Sequence, residues 1–247
     1  MANKDRNRKK AGARDSRASR FYVVLGVVAV VGVAAVAYAV SSARGTTASG
    51  PVEIEGLDDP QRLAELAQGV SMGQGDAPVT VVEFGDYQCP GCGWFAGEVK
   101  PRVQLAYVET GKVRFVFYDF PLEQHPHSFL AARAARCAGE QDRFWEYHDA
   151  LFARQQRWSG ASSVVGLFKS YAEELGLDGD DFESCLESER FADVVTANKR
   201  LGEELGVNQT PTIMVSPGGM YRSLAEPSFE AIQEAVDELL GDAGASG

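Results

Sequence analysis

Cys89-Pro90-Gly91-Cys92 constrains this chain more than any other feature. It follows a strand-like run, Val79-Thr80-Val81-Val82-Glu83-Phe84, and opens a segment that reads as helix, Gly93-Trp94-Phe95-Ala96-Gly97-Glu98-Val99. A cysteine at that junction sits at a helix N-terminus, among backbone N–H groups with no intrahelical partner. The helix dipole favours negative charge there by at most ~2 kcal/mol, or roughly 1.5 pKa units. A larger depression requires those N–H groups to hydrogen-bond the thiolate directly. The thiolate is the reactive species, so Cys89 is the candidate nucleophile and is expected to be exposed. Cys92, one turn further in, is the candidate buried resolving thiol.

Other uses of the pair fit less well. A zinc site needs two more ligands, whereas Cys137 and Cys185 are not closely spaced and His125 and His127 lie beside Pro126. No metal is therefore expected. A purely structural bridge across so short a ring removes little chain entropy.

The N-terminus belongs to a different environment from the rest. Its first twenty residues hold eight Lys or Arg against Asp5 and Asp15, a surplus of +6, so the whole-chain charge of −11 leaves −17 for the remainder. Residues 21–40 contain no charged side chain. Twenty helical residues span about 30 Å, the hydrocarbon thickness of a bilayer. The basic flank precedes this run, so residues 1–20 are expected to be a cytoplasmic tail, with the chain after Val40 outside. Two readings of 21–40 stay open: a single-pass transmembrane anchor, or a signal peptide cut after Ala37-Tyr38-Ala39. Residues 41–56 read as a linker, flexible by composition as far as Pro51. The acidic balance of the remainder argues against nucleic acid as a partner.

About 190 residues then make one domain by length. Asp58 to Gln68 reads as a short helix capped by Asp59 with Pro60 in its first turn. Gly69 to Met72, Val79 to Phe84 and Val113 to Tyr118 read as strands, with a kink expected at Pro101. From Pro126 to Leu205 the pattern is helical, over Ser128–Gly139, Gln141–Arg154, Ser162–Leu175, Asp180–Glu187 and Arg190–Leu205. Strands return at Thr212 to Val215 and Met220 to Leu224, and Ser228 to Leu240 closes the chain as a helix. Residues 57–125 and 206–243 thus form an α/β domain, and 126–205 an all-helical insertion.

Alternation places Val79, Val81 and Glu83 on one strand face. A carboxylate buried there has a raised pKa and suits a proton acceptor for Cys92. The alternative is an edge position in water. Thr210-Pro211 precedes a strand, where proline is tolerated. Spacing alone leaves its isomer open. Pro211 has no N–H, and the Thr210 backbone is free to pair with an extended substrate strand. Cys137 and Cys185 lie on two helices of the insertion and read as a structural disulfide, as two buried thiols, or as a second redox pair. His148, among aromatics, reads as a packed helix residue. Tyr87 and Trp94 are expected near a substrate groove.

The run from Gly75 through Cys92 closely resembles the active-site region of DsbA-like thiol:disulfide oxidoreductases, especially the membrane-tethered bacterial branch. Asp119-Phe120-Pro121-Leu122, the helical insertion and Thr210-Pro211-Thr212 fit the same family. The resemblance spans roughly residues 69–240. It implies a thioredoxin-like fold with an all-helical insertion, preceded here by the N-terminal membrane helix. It implies catalysis by Cys89 and Cys92, proton transfer by Glu83, a cis Pro211, and client contacts at Pro90, Gly91, Thr210 and Pro211. Two positions depart from the best-known members, which have His where this chain has Gly91 and Val where it has Thr210.

The expected activity is donation of the Cys89–Cys92 disulfide to reduced or unfolded secreted proteins, with no cofactor beyond that disulfide. The expected setting is a monomer on the outer face of a bacterial cytoplasmic membrane. Reoxidation is expected from a quinone-linked membrane partner, DsbB-like or vitamin K epoxide reductase-like. An isomerase or reductase of the same fold, or a redox-inactive tethered chaperone, are the alternatives.

Overall fold

The computed structural model describes residues 49–245, together with Tyr22 and Gly32. The expected membrane segment, 21–40, otherwise lies outside the described residues. Among the described residues no helix is long and apolar enough to cross a membrane.

Helix α1 (Pro60–Leu66) starts where the Asp59 side chain accepts hydrogen bonds from the N–H groups of Gln61 and Arg62. That satisfies two of the donors a helix start leaves open, and Pro60 has no N–H to leave unpaired. Five strands follow in the spatial order β1-β3-β2-β4-β5. They are β1 (Val70–Met72), β2 (Val79–Gly85), β3 (Val113–Asp119), β4 (Thr212–Ser216) and β5 (Arg222–Ser223). β2 pairs parallel with β3 and antiparallel with β4, so it has a partner on both edges. Its valine-rich sequence suits that place, since a strand covered on both faces needs no polar side. Val79 and Val81 join the main core with Phe115, Phe117, Ile213 and Val215, while Val82 and Phe84 join Val116 and Met214 on the opposite face.

The crossover from β2 to β3 is one long helical path. It begins as α2 (Pro90–Trp94), widens into a π turn at Phe95–Val99, resumes as α3 (Lys100–Val103), and widens again at Gln104–Val108. The Lys100 N–H reaches back to the Phe95 carbonyl, one residue further than in an α-helix. Pro101 has no N–H to donate, and a wide turn lies on either side of the short α3 that carries it.

The insertion contains α4 (Ser128–Gly139), α5 (Phe144–Ala153), α6 (Gln155–Trp158), α7 (Val165–Glu174) and α8 (Gly179–Glu187). α9 (Ala192–Glu204) leads back to β4, and α10 (Phe229–Ala245) closes the chain. The helix expected over 141–154 is shorter, running over Phe144–Ala153. Asp142 turns the chain with φ of 59° before α5, and α5 ends before α6 begins. The helix expected from Ser162 starts at Val165, and the strand expected over 220–224 shrinks to Arg222–Ser223. Residues 49–245 nevertheless belong to one compact unit, and one hydrophobic core runs through sheet and insertion alike. Within that core Cys137 of α4 and Cys185 of α8 are joined in a disulfide, with Cα atoms 5.8 Å apart.

Candidate active site

Cys89 is the N-cap of α2, and Pro90 occupies the first helical position. The loop is therefore pre-set, because proline fixes φ and the helix start needs no N–H there. Both Cys89 and Cys92 are unbonded thiols. Cys92 is 0% exposed, and Cys89, expected to be open, is only 8% exposed. The reason is the loop at Thr210-Pro211, whose peptide bond is cis. The Cys89 Sγ lies 3.3 Å from the Thr210 carbonyl oxygen.

The two sulfurs differ sharply in acidity. Cys89 is lowered from the ordinary thiol range to about 5, chiefly by a hydrogen bond from Cys92. Burial opposes this, while Thr210 and the N–H groups of Cys92 and Gly91 add to it. Cys92 is pushed well up, first by burial, then by that same bond and by the neighbouring Glu83 and Cys89. At neutral pH Cys89 is the thiolate and Cys92 the thiol.

Gly91 is a place of close approach. A Cβ there would stand 3.2 Å from Pro211 Cδ and 3.7 Å from Cys89 Sγ. This chain thus stabilises the thiolate with main-chain donors and Cys92, with no side chain between the cysteines to help.

Glu83 is 0% exposed, and neither of its oxygens has a hydrogen-bond partner. Burial drives its pKa up to about 8, with Lys100 lowering it and Cys89 raising it. It therefore holds a proton at neutral pH in an interior that also holds Cys92. Lys100 is buried too, and its Nζ reaches Asp149 Oδ1 at 2.6 Å. Tyr87, expected at a groove, is instead fully buried. Its ring stacks on Phe152 and its hydroxyl meets His148 Nδ1 at 3.0 Å. The chain after β2 turns inward at Tyr87, so apolar area that would suit a client fills the core. His148 is fully buried, and burial together with Lys100 keeps it neutral. Trp94 is 53% exposed and borders a cleft of about 470 Å3 with Pro90, Gly93, Phe152, Gln155 and Arg157.

Sequence reasoning passed over the polar residues that hold the loop. Asp86 is buried, and its carboxylate accepts from Gln88 N at 2.7 Å, Ser128 Oγ at 2.5 Å and Leu122 N at 2.8 Å, and pairs with His125 Nδ1 at 2.7 Å. Gln88 donates to Ser159 O and accepts from His127 N. Gln155 donates to the carbonyls of both Tyr87 and Cys89. Polar Asp86 and Gln88 between an apolar strand and the motif were a readable signal. Gln155, far along the chain, had none.

The chain also resembles known proteins. The family described as Thioredoxin matches residues 65–238. Disulfide bond formation protein D of Bacillus subtilis is 31% identical over 175 residues, covering 68% of this chain and 76% of that protein. Na(+)/H(+) antiporter NhaA 3 of Salinispora tropica is 38% identical over 165 residues, which are 66% of this chain but only 24% of that longer protein. The crystal structure of oxidised BdbD from Bacillus subtilis superposes with a TM-score of 0.63 at 29% identity, covering 71% of this chain and 97% of that one. With a thioredoxin-like sheet, a Cys-x-x-Cys at the start of its crossover helix and a cis-proline loop against the first sulfur, the chain belongs to the DsbA-like thiol:disulfide oxidoreductases.

Proposed function

We propose that this protein donates the Cys89–Cys92 disulfide to reduced, cysteine-containing polypeptides outside the cytoplasm. The observation that carries this reading is the split between the two sulfurs: Cys89 down to about 5 and Cys92 pushed up. A stabilised thiolate favours the reduced enzyme, so its disulfide is readily given away.

The steps follow from that split. A client thiolate attacks Cys89 Sγ, the Cys89–Cys92 bond breaks, and the electron pair leaves on Cys92. Protonated Glu83, buried in the same interior and electrostatically coupled to Cys92, is the group assigned to supply a proton to that sulfur. A second client thiolate then attacks the client sulfur of the mixed disulfide. Cys89 departs as a thiolate that is stable at neutral pH, and the client keeps the new disulfide. The Thr210 backbone beside Cys89 offers an extended client strand its main-chain partners, and Pro90 and Gly91 leave room for it. The name of the Bacillus subtilis relative, disulfide bond formation protein D, supports the same direction.

The setting rests on the sequence. The basic residues 1–20 and the uncharged 21–40 support a single-pass anchor with the catalytic domain outside. The reduced enzyme then needs an oxidant, and a quinone-linked membrane protein is the partner that such an anchor would bring within reach.

Titration of the couple against glutathione buffers tests the direction. Known potentials in this superfamily span ~150 mV, roughly 7 kcal/mol for two electrons. A value at the oxidising end, with oxidation of a reduced client in the same buffer, supports donation. A value near that of thioredoxin assigns a reductase instead.

A further inference from the structure

Cys92 has to leave as a sulfur anion from a site that water does not reach, and the structure gives that sulfur one main-chain donor on the loop before it. The Asp86 N–H points at Cys92 Sγ, 3.4 Å away. The same residue's carbonyl accepts from the Cys89 N–H at 3.1 Å. The Asp86 peptide units thus touch both members of the couple, at the turn between β2 and α2.

A main-chain N–H helps a developing charge only if it is already aimed and cannot swing away. The Asp86 side chain meets that requirement. Its Oδ1 takes Gln88 N and Ser128 Oγ, and its Oδ2 takes Leu122 N and His125 Nδ1. These partners come from the active-site loop, the segment after β3 and the start of α4. Three stretches of chain are therefore pinned on one carboxylate.

We infer that the Asp86 N–H is the donor that stabilises Cys92 as leaving group, and that the Asp86 carboxylate, held by Ser128, His125 and Leu122, is the positioning device that aims it. This deepens the proposed disulfide exchange and rests on it. In the step concerned, a thiolate attacks Cys89 Sγ and forms a new S–S bond. The Cys89–Cys92 bond breaks, its electron pair goes to Cys92 Sγ, and the N–H dipole faces that pair as it forms. The attacking thiol is oxidised and the Cys89–Cys92 couple is reduced, with no further reagent.

The assignment has a sign that tells it apart from simple electrostatics. A carboxylate near a departing anion repels it, so removing the negative charge of Asp86 would speed the step if repulsion dominated. If aiming dominates, removal slows it. Cys89 draws its acidity from Cys92, Thr210 and the N–H groups of Cys92 and Gly91, none of them on Asp86. Its own titration should therefore stay in place.

The test uses the oxidised full-length protein and dithiothreitol in single-turnover stopped flow, with wild type, Asp86→Asn and Ser128→Ala. Asp86→Asn should lower the rate of attack about tenfold, the scale of one hydrogen bond to a charged group, and Ser128→Ala by less. The pH midpoint of Cys89 alkylation in the reduced variants should match wild type. A rate unchanged or raised in Asp86→Asn overturns the inference. So does a joint collapse of rate and alkylation midpoint in both variants, which marks a structural role alone. If wild type itself fails to exchange with dithiothreitol, the proposed activity has failed, and that outcome is separate from any difference between variants.

Discussion

The sulfur of Cys89 lies 3.3 Å from the carbonyl oxygen of Thr210, a residue 121 positions further along the chain. Between the two run β3, the entire helical insertion and α9. Their meeting narrows access to Cys89 and sets the Thr210 backbone beside its sulfur. It also brings the Pro211 ring close to Gly91, where a Cβ would stand 3.2 Å from it.

Cys89 should react as a thiolate well below neutrality. Its alkylation rate by iodoacetamide is expected to rise with a midpoint near 5 and to be flat by pH 7. A midpoint in the ordinary thiol range, about 8.5, would remove the basis for the proposed activity. The same shift has a stability consequence. A depressed acid group contributes stability that is complete above its unfolded pKa and is lost as pH falls through its folded pKa. The reduced protein should therefore lose stability relative to the oxidised form as pH drops toward 5, as read by urea midpoints in both states.

Cys92→Ala should trap clients. Cys89 remains the nucleophile, less acidic for want of its Cys92 hydrogen bond, but the sulfur that would displace a bound client is gone. Incubation with an oxidised cysteine peptide is expected to leave a stable adduct on Cys89, visible by mass spectrometry. Cys89→Ser should form none and should show no oxidase activity.

Glu83→Gln separates chemistry from stability. The variant cannot exchange a proton with Cys92, so exchange should slow, by about a hundredfold if proton transfer limits the step. Stability should move the other way. A carboxyl raised to about 8 by burial costs the folded protein progressively more as pH rises from the ordinary carboxyl range to about 8. The urea-unfolding advantage of the variant should therefore widen between pH 5 and pH 9. A constant gap across that range would show that Glu83 does not titrate as described.

The disulfide between Cys137 and Cys185 closes a separation of 48 residues. In the chain-entropy account such a loop contributes ~4 kcal/mol. Replacing both cysteines by Ala should cost on that order in denaturant unfolding while leaving the acidity of Cys89 unchanged. Loss of exchange activity in a variant that is still folded would instead assign this pair a redox role.

The sequence was most legible where physics is local. A strand, a Cys-x-x-Cys and a helix start read directly from β-branched residues, from the motif and from Pro90. The Asp59 cap and Pro60 mark the start of α1 in the same way. The shift to helical patterning after Pro126 located the insertion. Legibility failed where a residue's role depends on partners distant in the chain. Tyr87 looked like a groove aromatic and is core, because His148 and Phe152 of α5 close over it. Gln155 carried no signal, since the Tyr87 and Cys89 carbonyls it holds lie far away in the chain.

By itself the sequence determined the Cys-x-x-Cys pair at a helix start, the buried strand that carries Glu83, and the acidity that a helix start can lend to Cys89. Those follow from contacts within a few residues, where backbone geometry leaves few choices. Only the tertiary structure decided how far that acidity goes, which aromatics face inward, and which carboxylate holds the loop. Those depend on desolvation and on hydrogen bonds between segments as much as 121 residues apart, and such terms exist only once the core has closed.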